Sequence, residues 1–297
     1  MAILLTGATG YIGSAVLRQL RGQGRDVVAL VRSEEKAREV EAAGATAVLG
    51  DLTDRDIVTH LALDSEGVIH TASPGDESSA PTDDTFVSAV FAGLEGSEKP
   101  YVHTSGIWIF GAGSDLTEES PFAPPALTSW RPSVEGRVRT AAGIKTSIIA
   151  PAVVFGHGGG IPNLVASAPQ VSDSSGSSAL SLIGSGSQHW TTVFVDDLAE
   201  LYVLAFDLAE GGSYYIGASG DNPTVRSLGE AASEAAGLGG RVAPTSVEDV
   251  HARLGEEFGD ALLLDQQATG SLARIDLGWE PNGPTLVEEL RSGSYVR

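Results

Sequence analysis

The sequence predicts an α/β fold, a doubly wound parallel sheet with a smaller C-terminal α/β lobe. Short apolar segments alternate with helical patterns over the first 150 residues, and a glycine-rich turn follows the first of these segments. Strands that alternate with helices at this spacing form parallel sheets with right-handed crossovers. Past Pro151 the alternation loosens, which indicates a region of different architecture.

The individual elements can be assigned in chain order. Apolar side chains recur at helical spacing over residues 12–20, and residues 34–43 form a charged helix that stops at Gly44. A later helix spans residues 196–207, and Asp196 is its expected N-cap. The predicted strands cover residues 3–5, 27–31, 47–49, 68–69, 101–103, 147–149 and 214–216.

Two segments after the sixth strand predict long irregular loops. They are residues 156–160 and the Ser/Gly-rich residues 172–187, and loops of this length often cover functional sites. The expected division is residues 1–155 and 190–217 for the sheet domain, and residues 156–189 and 218–297 for the lobe, where we expect substrate to bind.

Composition excludes several classes of function. The 18 Lys and Arg against 39 Asp and Glu give a net charge of −21, whereas nucleic acids and anionic membrane surfaces require clustered basic side chains. No cysteine is present, so disulfides and thiol nucleophiles are excluded, and no His, Asp or Glu set has metal-ligand spacing. Without a signal sequence or a membrane-length apolar stretch, we expect a cytoplasmic protein that acts on a small molecule.

A glycine motif follows the first predicted strand. Gly7 and Gly10 keep side chains away from a diphosphate, and Gly13 lets helix and strand pack closely. The helix N-terminus then presents free N–H groups and the positive end of its dipole to the phosphates. The predicted dinucleotide-binding residues of this motif are Gly7, Thr9, Gly10, Tyr11, Ile12 and Gly13.

Three further segments complete the predicted dinucleotide site. Arg32 follows the second strand, where a guanidinium favours a 2′-phosphate and therefore NADP(H) over NAD(H); the alternative is a solvated strand-end charge. Asp51 and Leu52 follow the third strand, where Asp51 can bind an adenine amino group or cap the next helix. Small residues after the fourth strand leave room for ribose and diphosphate: Thr71, Ala72 and Ser73.

These residues together resemble the short-chain dehydrogenase/reductase superfamily, specifically its extended and atypical branches, which include NAD-dependent epimerases and dehydratases. The resemblance implies a Rossmann domain, a nicotinamide bordered by Pro151, Val153 and Val154, and a substrate-binding C-terminal lobe in a monomer or homodimer. The segments that carry the resemblance are Thr6–Gly13, Gly50–Asp54, Val68–Ser73, Val102–Ser105, Ala150–Gly156, Val193–Ala199 and Leu277–Pro281.

The chain departs from this family where the family's proton-transfer residues are expected. The family mechanism uses a Tyr with a Lys four residues later, whose positive charge depresses the Tyr pKa. Trp130 stands at the Tyr position and Val134 at the Lys position, and no Tyr-x-x-x-Lys occurs in the sequence. The position of the family's catalytic hydroxyl falls on Gly106, with Ser105 just before it.

Replacement chemistry must come from other polar groups. Thr104, which is also a predicted cofactor-binding residue, and Ser105 follow the fifth strand, at the carboxyl edge where ligands bind in open α/β sheets. His157 is the expected acid or base, because imidazole titrates near neutrality, and His189 can approach from the lobe. For both histidines a solvated loop position is the alternative. The predicted catalytic residues are His157, Ser105 and Trp130.

Aromatic residues and one arginine form the predicted substrate pocket. Trp108 and Trp130 flank positions that face the cofactor in the family, so a flat apolar substrate fits best. Arg131 can anchor a substrate carboxylate or pair with Glu135 one turn later. The predicted substrate-binding residues are Trp108, Arg131, His189 and Trp190.

Three functions remain open at this point. The first is an atypical NADP(H)-dependent oxidoreductase that transfers hydride to a carbonyl, an enone or an iminium ion without the Tyr/Lys relay. The second is a non-redox isomerase, cyclase or dehydratase that keeps the dinucleotide fold. The third is a dinucleotide-sensing regulatory protein similar to the NmrA-like regulators.

Overall fold

A parallel sheet lies at the centre of the computed structural model, which describes residues 1–172 and 176–296. The strands are β1 (Ile3–Thr6), β2 (Val27–Val31), β3 (Thr46–Leu49), β4 (Gly67–His70), β5 (Pro100–Thr104), β6 (Gly113–Leu116), β7 (Lys145–Pro151), β8 (Val153–Phe155), β9 (Gln170–Ser172), β10 (Ser178–Ser181), β11 (Thr192–Phe194), β12 (Ser213–Gly217), β13 (Val242–Ala243) and β14 (Gln266–Ala268). Within the described ranges, the central sheet has seven strands in the order β12-β7-β5-β4-β1-β2-β3. All its pairings are parallel, so every carboxyl end lies at one edge.

Helices cover both faces of this sheet. They are α1 (Tyr11–Gly22), α2 (Glu34–Ala42), α3 (Arg55–Asp64), α4 (Ser79–Leu94), α5 (Arg131–Arg139), α6 (Asn163–Ala166), α7 (Val195–Leu208), α8 (Val225–Ala235), α9 (Val247–Leu254), α10 (Glu256–Leu263), α11 (Ser271–Leu277) and α12 (Leu286–Ser292). Helix α1 packs against α7 on one face, while α3, α4 and α5 pack in sequence on the other. Coverage of both faces explains why β2 consists of apolar residues alone.

The predicted fold class is confirmed. All seven predicted strands belong to the central sheet, and most extend one or two residues beyond their predicted limits. The chain reverses its winding between β1 and β4, which neighbour each other although two strands separate them in sequence. Ligands of doubly wound sheets bind at such a switch point.

Two details of the prediction were wrong. Asp196 is not the N-cap of α7, because the helix begins at Val195 and its N-cap is Phe194; Asp196 lies in the first turn instead. Residues 172–187 are not a continuous irregular loop, because β10 pairs antiparallel with β9 and parallel with β13. Residues 173–175 of this segment lie outside the described residues.

The buried apolar side chains form two clusters. The first fills the sheet region and draws its members from residues 3–152, 193–218 and 268–279. The second draws its members from residues 153–165, 180–190, 225–262 and 286–295. The predicted domain boundaries remain a prediction, and residues 268–279, which we placed in the lobe, pack with the first cluster. No helix in the described part of the chain has the length and apolar character needed to cross a membrane.

Candidate active site

The turn after β1 has no room for a side chain. Gly7 has φ +73°, and a Cβ placed on it would lie 2.8 Å from the backbone nitrogen of Ala72, in the segment that follows β4. A Cβ on Gly13 would lie 2.0 Å from the carbonyl oxygen of Gly7. The two glycines therefore allow the first turn of α1, the loop before it and the loop after β4 to meet at the switch point.

This cradle fits a diphosphate. Helix α1 begins at Tyr11 directly after the extended N-cap Gly10, so its first amides point out of the helix without intrahelical acceptors. The helix dipole adds positive potential at the same end. Thr71 reinforces the cradle, since its hydroxyl donates to the Thr6 carbonyl at 2.7 Å. The residues present would hold the diphosphate of a dinucleotide by backbone groups and helix polarity.

The opposite end of the cradle carries charged groups at the ends of β2 and β3. Arg32 is exposed. Hydrogen bonds from Thr53 lower the pKa of Asp51, whose carboxylate accepts from the Thr53 hydroxyl at 2.7 Å, and hydrogen bonds from Ser78 lower the pKa of Asp76. In both cases the Arg32 charge adds a smaller effect in the same direction. Asp51 does not cap α3, because Asp54 accepts from the first-turn amide of that helix.

Thr104, the last residue of β5, is tied to three neighbours. Its hydroxyl lies 2.6 Å from the carbonyl oxygen of His70 and 2.7 Å from the Tyr202 hydroxyl. Its own carbonyl accepts a hydrogen bond of 3.0 Å from the Arg131 guanidinium. Arg131 also stacks over the Trp130 ring at 4.6 Å. The carboxyl end of β5 therefore holds a cation beside an indole.

Ser105 begins a second group of polar contacts beneath this cation. Its hydroxyl lies 3.0 Å from the Tyr214 hydroxyl on β12, which in turn lies 2.9 Å from a carboxylate oxygen of Glu135 on α5. All three residues are buried. Burial raises the pKa of the Glu135 carboxyl, although Ser105, Arg131 and Tyr214 act in the opposite direction. Glu135 therefore holds its proton to higher pH than an exposed glutamate.

A third buried polar group lies between β4, β5 and α4. Asp83 lies 3.0 Å from Nε2 of His70 and 3.5 Å from Nε2 of His103. The outer ring nitrogens contact hydroxyls, with Thr6 at 2.7 Å from His70 and Tyr101 at 2.8 Å from His103. Spacing in sequence did not reveal this convergence, in which the candidate ligand atoms lie within 4.8 Å of one another. Hydrogen bonds join Thr6, His70 and Asp83, and Tyr101 to His103, whereas the 3.5 Å approach of Asp83 to His103 is not a hydrogen bond.

The charges of this group follow from its burial. Burial alone would raise the pKa of Asp83, but His103, the hydrogen bond from His70 and the Arg131 charge outweigh it, so that the pKa lies below its usual range. Burial lowers the pKa of His103 to about 3. An ionised carboxylate with a neutral imidazole beside it is therefore the state of this group near neutral pH.

Comparison with known proteins identifies the family. A family model described as NAD(P)H-binding matches residues 7–108. An uncharacterized protein of Schizosaccharomyces pombe is 32% identical, over 99% of this chain and 100% of that protein. The NAD-bound dTDP-glucose 4,6-dehydratase DesIV of Streptomyces venezuelae, a double mutant, has the same fold, with a TM-score of 0.78 and 19% identity over 99% of this chain and 96% of that one. The chain therefore belongs to the same family as the Schizosaccharomyces pombe protein, carries an NAD(P)H-binding domain and has the fold of the NAD-dependent epimerases and dehydratases.

A named enzyme is also among the relatives. The 4-hydroxy-2-methyl-3-oxo-4-farnesyl-3,4-dihydroquinoline-1-oxide ketoreductase of Stigmatella aurantiaca is 26% identical, over 90% of this chain and 84% of that enzyme. The chain is therefore an NAD(P)-binding member of a family that contains reductases and epimerases.

The predicted proton donor His157 lies on the exposed rim of the molecule. Its Nε2 is 2.8 Å from Asp196, whose other carboxylate oxygen is 3.3 Å from Arg18 of α1. The ring lines an open cleft of about 510 Å³ with Tyr11 and Ser14. In the described residues, no hydrogen bond, ion pair or ring contact joins His157 to Ser105 or Trp130, and the catalytic role of these three residues stays a prediction.

Hydrogen bonds from the side chains of Tyr11 and Tyr295 stabilise the turn that carries His157. The Tyr11 hydroxyl donates to the Gly156 carbonyl at 2.8 Å, and the Gly156 amide donates to the Tyr295 hydroxyl at 2.9 Å. Tyr295 also donates to the Gly159 carbonyl. The side chain of Tyr11 therefore holds this turn, while its backbone belongs to the cradle. Pro151, Val153 and Val154, the predicted nicotinamide neighbours, lie just before the turn, at the end of β7 and in β8.

The predicted substrate-binding residues fall into two groups. Trp108 and Trp130 are half-buried, and Trp108 meets Phe258 edge-to-face at a centroid distance of 6.0 Å. Trp190 is 3% exposed and its indole N–H donates to the Leu262 carbonyl at 3.0 Å. Trp190 therefore packs in the second apolar cluster and presents no surface to a substrate.

The two remaining predicted substrate-binding residues, His189 and Arg131, contact other residues of the chain. His189 is half-exposed, and its Nδ1 lies 2.9 Å from Asp265. Among the described residues, no ion pair joins Arg131 to Glu135; the guanidinium donates to the Thr104 carbonyl instead. The expected Arg131–Glu135 pair is therefore corrected, and the cation stays at the carboxyl edge of the sheet.

Sequence reasoning missed Glu135 and Tyr214 as functional candidates. Their sequence separation is 79 residues, and Tyr214 lies 109 residues from Ser105. Tyr214 reads as an ordinary aromatic residue of a strand, and Glu135 as a charged residue of a helix. The only signal in the sequence is indirect. The absence of a Tyr-x-x-x-Lys pair implies that another acid near β5 supplies the proton, but it does not say which one.

Proposed function

We propose that the chain is an NADP(H)-dependent reductase of a small, flat carbonyl, enone or iminium compound. The observation that carries the proposal is the meeting of a diphosphate cradle with buried proton-bearing groups at one edge of the sheet. The bound dinucleotide supplies hydride, so the chain itself must position the substrate and provide a proton. The likeness to the Stigmatella aurantiaca ketoreductase supports this reaction class.

Arg131 and the two half-buried tryptophans are the groups that orient the substrate in this proposal. A guanidinium at the carboxyl end of β5 attracts an oxygen that gains negative charge, and it needs no proton transfer to do so. Trp108 and Trp130 offer flat apolar surface, which favours an aromatic or conjugated substrate. Arg131 thus supplies the positive charge that lysine provides in the usual family dyad.

Arg32 selects NADP(H) in this proposal. Its side chain is exposed at the end of β2, in reach of the ribose end of the cradle, and carries no ion pair to another described residue within 4 Å. A free guanidinium favours a 2′-phosphate over a hydroxyl.

The proposal is tested by titrating the protein with NADPH and NADH, then following NADPH absorbance with a panel of aromatic ketones, quinones, enones and cyclic imines. Stoichiometric NADPH consumption with at least one probe is the expected result. Tight binding without consumption by any probe would overturn the reductase and favour the non-redox catalyst. Binding of neither nucleotide would refute the cofactor assignment itself.

A further inference from the structure

We propose that Glu135, Tyr214 and Ser105 form a proton relay that replaces the family's Tyr/Lys pair. The inference rests on the proposed reductase function and names the path by which the chain delivers a proton. Ser105 is the catalytic residue of the relay, because it ends at the carboxyl edge of the sheet beside Thr104 and Arg131. Glu135 and Tyr214 act through it and are positioning residues.

The relay is built from three separate elements. Glu135 comes from α5, Tyr214 from β12 and Ser105 from the segment after β5, and the successive O···O distances are 2.9 Å and 3.0 Å. Their exposures are 0%, 4% and 5%, so bulk water does not compete for the contacts along the path. Proton transfer along the row requires hydroxyl or carboxyl groups in unbroken contact. These three groups meet that condition, and the row is closed to solvent at Glu135.

The hydrogen bonds between Glu135, Tyr214 and Ser105 can run in either of two directions. The Tyr214 hydroxyl carries one hydrogen and contacts two oxygens. When Glu135 is ionised, Tyr214 donates to the carboxylate and accepts from Ser105. When Glu135 is protonated, the carboxyl donates to Tyr214, Tyr214 donates to Ser105, and the Ser105 hydrogen is free to turn towards a substrate. The protonation state of Glu135 therefore decides whether Ser105 offers a donor to the site.

The surroundings of Glu135 favour the protonated form. Its second carboxylate oxygen has no partner among the described residues, which is costly for a buried anion. Burial raises the pKa of Glu135, and Asp83 on α4 acts in the same direction, while Ser105, Arg131 and Tyr214 oppose it. Burial also holds the pKa of the Tyr214 phenol well above its usual range. The phenol therefore passes a proton on and does not ionise.

The proton step balances along this row. The Ser105 O–H bond breaks as the substrate oxygen gains its hydrogen, the Tyr214 hydrogen moves to the Ser105 oxygen, and the Glu135 hydrogen moves to the Tyr214 oxygen. Glu135 is left as a carboxylate, and Arg131 lies close enough to stabilise its charge. The carboxylate regains a proton by the reverse path when water has replaced the product beside Ser105.

The test compares Glu135→Gln and Tyr214→Phe with the wild type. Each removes the transferable hydrogen at one station and keeps the shape of the side chain. With NADPH and phenanthrenequinone as the probe, we expect kcat to fall about 100-fold, with KM and the NADPH Kd unchanged. In the wild type, kcat falls as the pH rises through the raised pKa of Glu135; in both variants this dependence disappears.

The matched control is Tyr215→Phe. Tyr215 is buried on the same strand, but successive strand residues point to opposite faces of the sheet, so it lies off the relay. Its kcat and pH profile should equal those of the wild type. If Glu135→Gln and Tyr214→Phe fold, bind NADPH and keep the wild-type pH profile, the relay is refuted and the contacts are only structural.

A second readout needs no turnover. Infrared difference spectra between neutral and alkaline pH should show the C=O band of a protonated carboxylic acid in the wild type, its loss in Glu135→Gln and its shift in Tyr214→Phe. Absence of this band in the wild type would overturn the relay even if NADPH is consumed. If no probe consumes NADPH, the reductase proposal fails, and the infrared band still decides whether Glu135 carries the proton.

Discussion

The molecule holds two sets of histidine and aspartate in opposite settings. In the interior, Asp83 contacts His70 and His103 between the sheet and α4, and all three side chains are buried. On the rim, His157 contacts Asp196, with exposures of 56% and 48%. The residue types are the same, yet only the interior set is removed from water.

Burial therefore decides what each set can do. In the interior set, the pKa of Asp83 lies below its usual range and burial lowers that of His103 to about 3, so these two groups keep their protonation states near neutral pH. A surface ion pair contributes about 0–1 kcal/mol, because solvent and salt screen it. The sequence predicts that His157 transfers the proton, because imidazole titrates near neutrality. The structure instead places the buried Tyr214 hydroxyl next to Ser105, with the Glu135 carboxyl beyond it. The His157 assignment stays a prediction, which the last experiment below decides.

The largest expected effect is acid destabilisation through His103. Its pKa is about 3 in the folded protein and about 6.5 in the unfolded chain. Between these values the unfolded chain binds a proton that the folded protein does not, so stability is complete above about pH 6.5 and falls as the pH approaches 3, by about 4 kcal/mol. Urea unfolding of the wild type and His103→Gln at several pH values measures this slope. His157→Gln is the control, and equal slopes in all three proteins would break the comparison.

The second-largest effect is expected at Gly13, in the cradle between β1 and α1, where a substitution should lower both stability and dinucleotide affinity. Gly13→Ala places a Cβ against the Gly7 carbonyl, and backbone must move to relieve it, at a cost of about 3 kcal/mol in folding free energy. Dinucleotide affinity should be lost, since the same movement displaces the first amides of α1. Calorimetric titration with NADPH and thermal unfolding measure both quantities. In the same helix, Gly22→Ala meets nothing within 4 Å and should be neutral or slightly stabilising. A Gly13→Ala protein with wild-type affinity would contradict the cradle.

An exposed residue such as Arg32 should affect ligand affinity strongly only when a charged group of the ligand contacts it. Arg32→Asp should lower the preference for NADPH over NADH by about 30-fold, which corresponds to about 2 kcal/mol for a charge-assisted hydrogen bond. Fluorescence titration with both nucleotides measures the ratio. Arg38→Asp makes the same change of charge on the exposed surface of α2 and should leave the ratio near the wild-type value. An unchanged ratio in Arg32→Asp would remove the 2′-phosphate assignment.

The smallest effect is expected at the rim pair itself. His157→Ala removes an exposed contact with Asp196, so we expect a stability change below about 1 kcal/mol, together with a wild-type pH profile of kcat. Steady-state rates across the pH range, beside those of Glu135→Gln, decide between the two candidate proton donors. Loss of the alkaline limb in His157→Ala, with its retention in Glu135→Gln, would return the role to His157.

Local patterns predicted the strands and the glycine motif, because each of these is encoded by residues close in sequence. The apolar run Val27–Val31 and the glycines Gly7 and Gly13 each specify a structure by themselves. The site's polar network is different, since Glu135 meets Tyr214 only after α5 and β12 have packed on the sheet. The misplaced N-cap of α7 has a related cause. Asp196 suits a first turn as well as a cap, because an acidic side chain favours both positions.

The hydroxyl of Tyr295 has a consequence for the order of folding. It contacts the backbone of Gly156 and Gly159, while Tyr11 contacts the same turn from helix α1. These contacts join residues that lie 136 to 145 positions apart in the sequence. We therefore expect the turn to gain its final support late, after the strands that pair over shorter separations have formed.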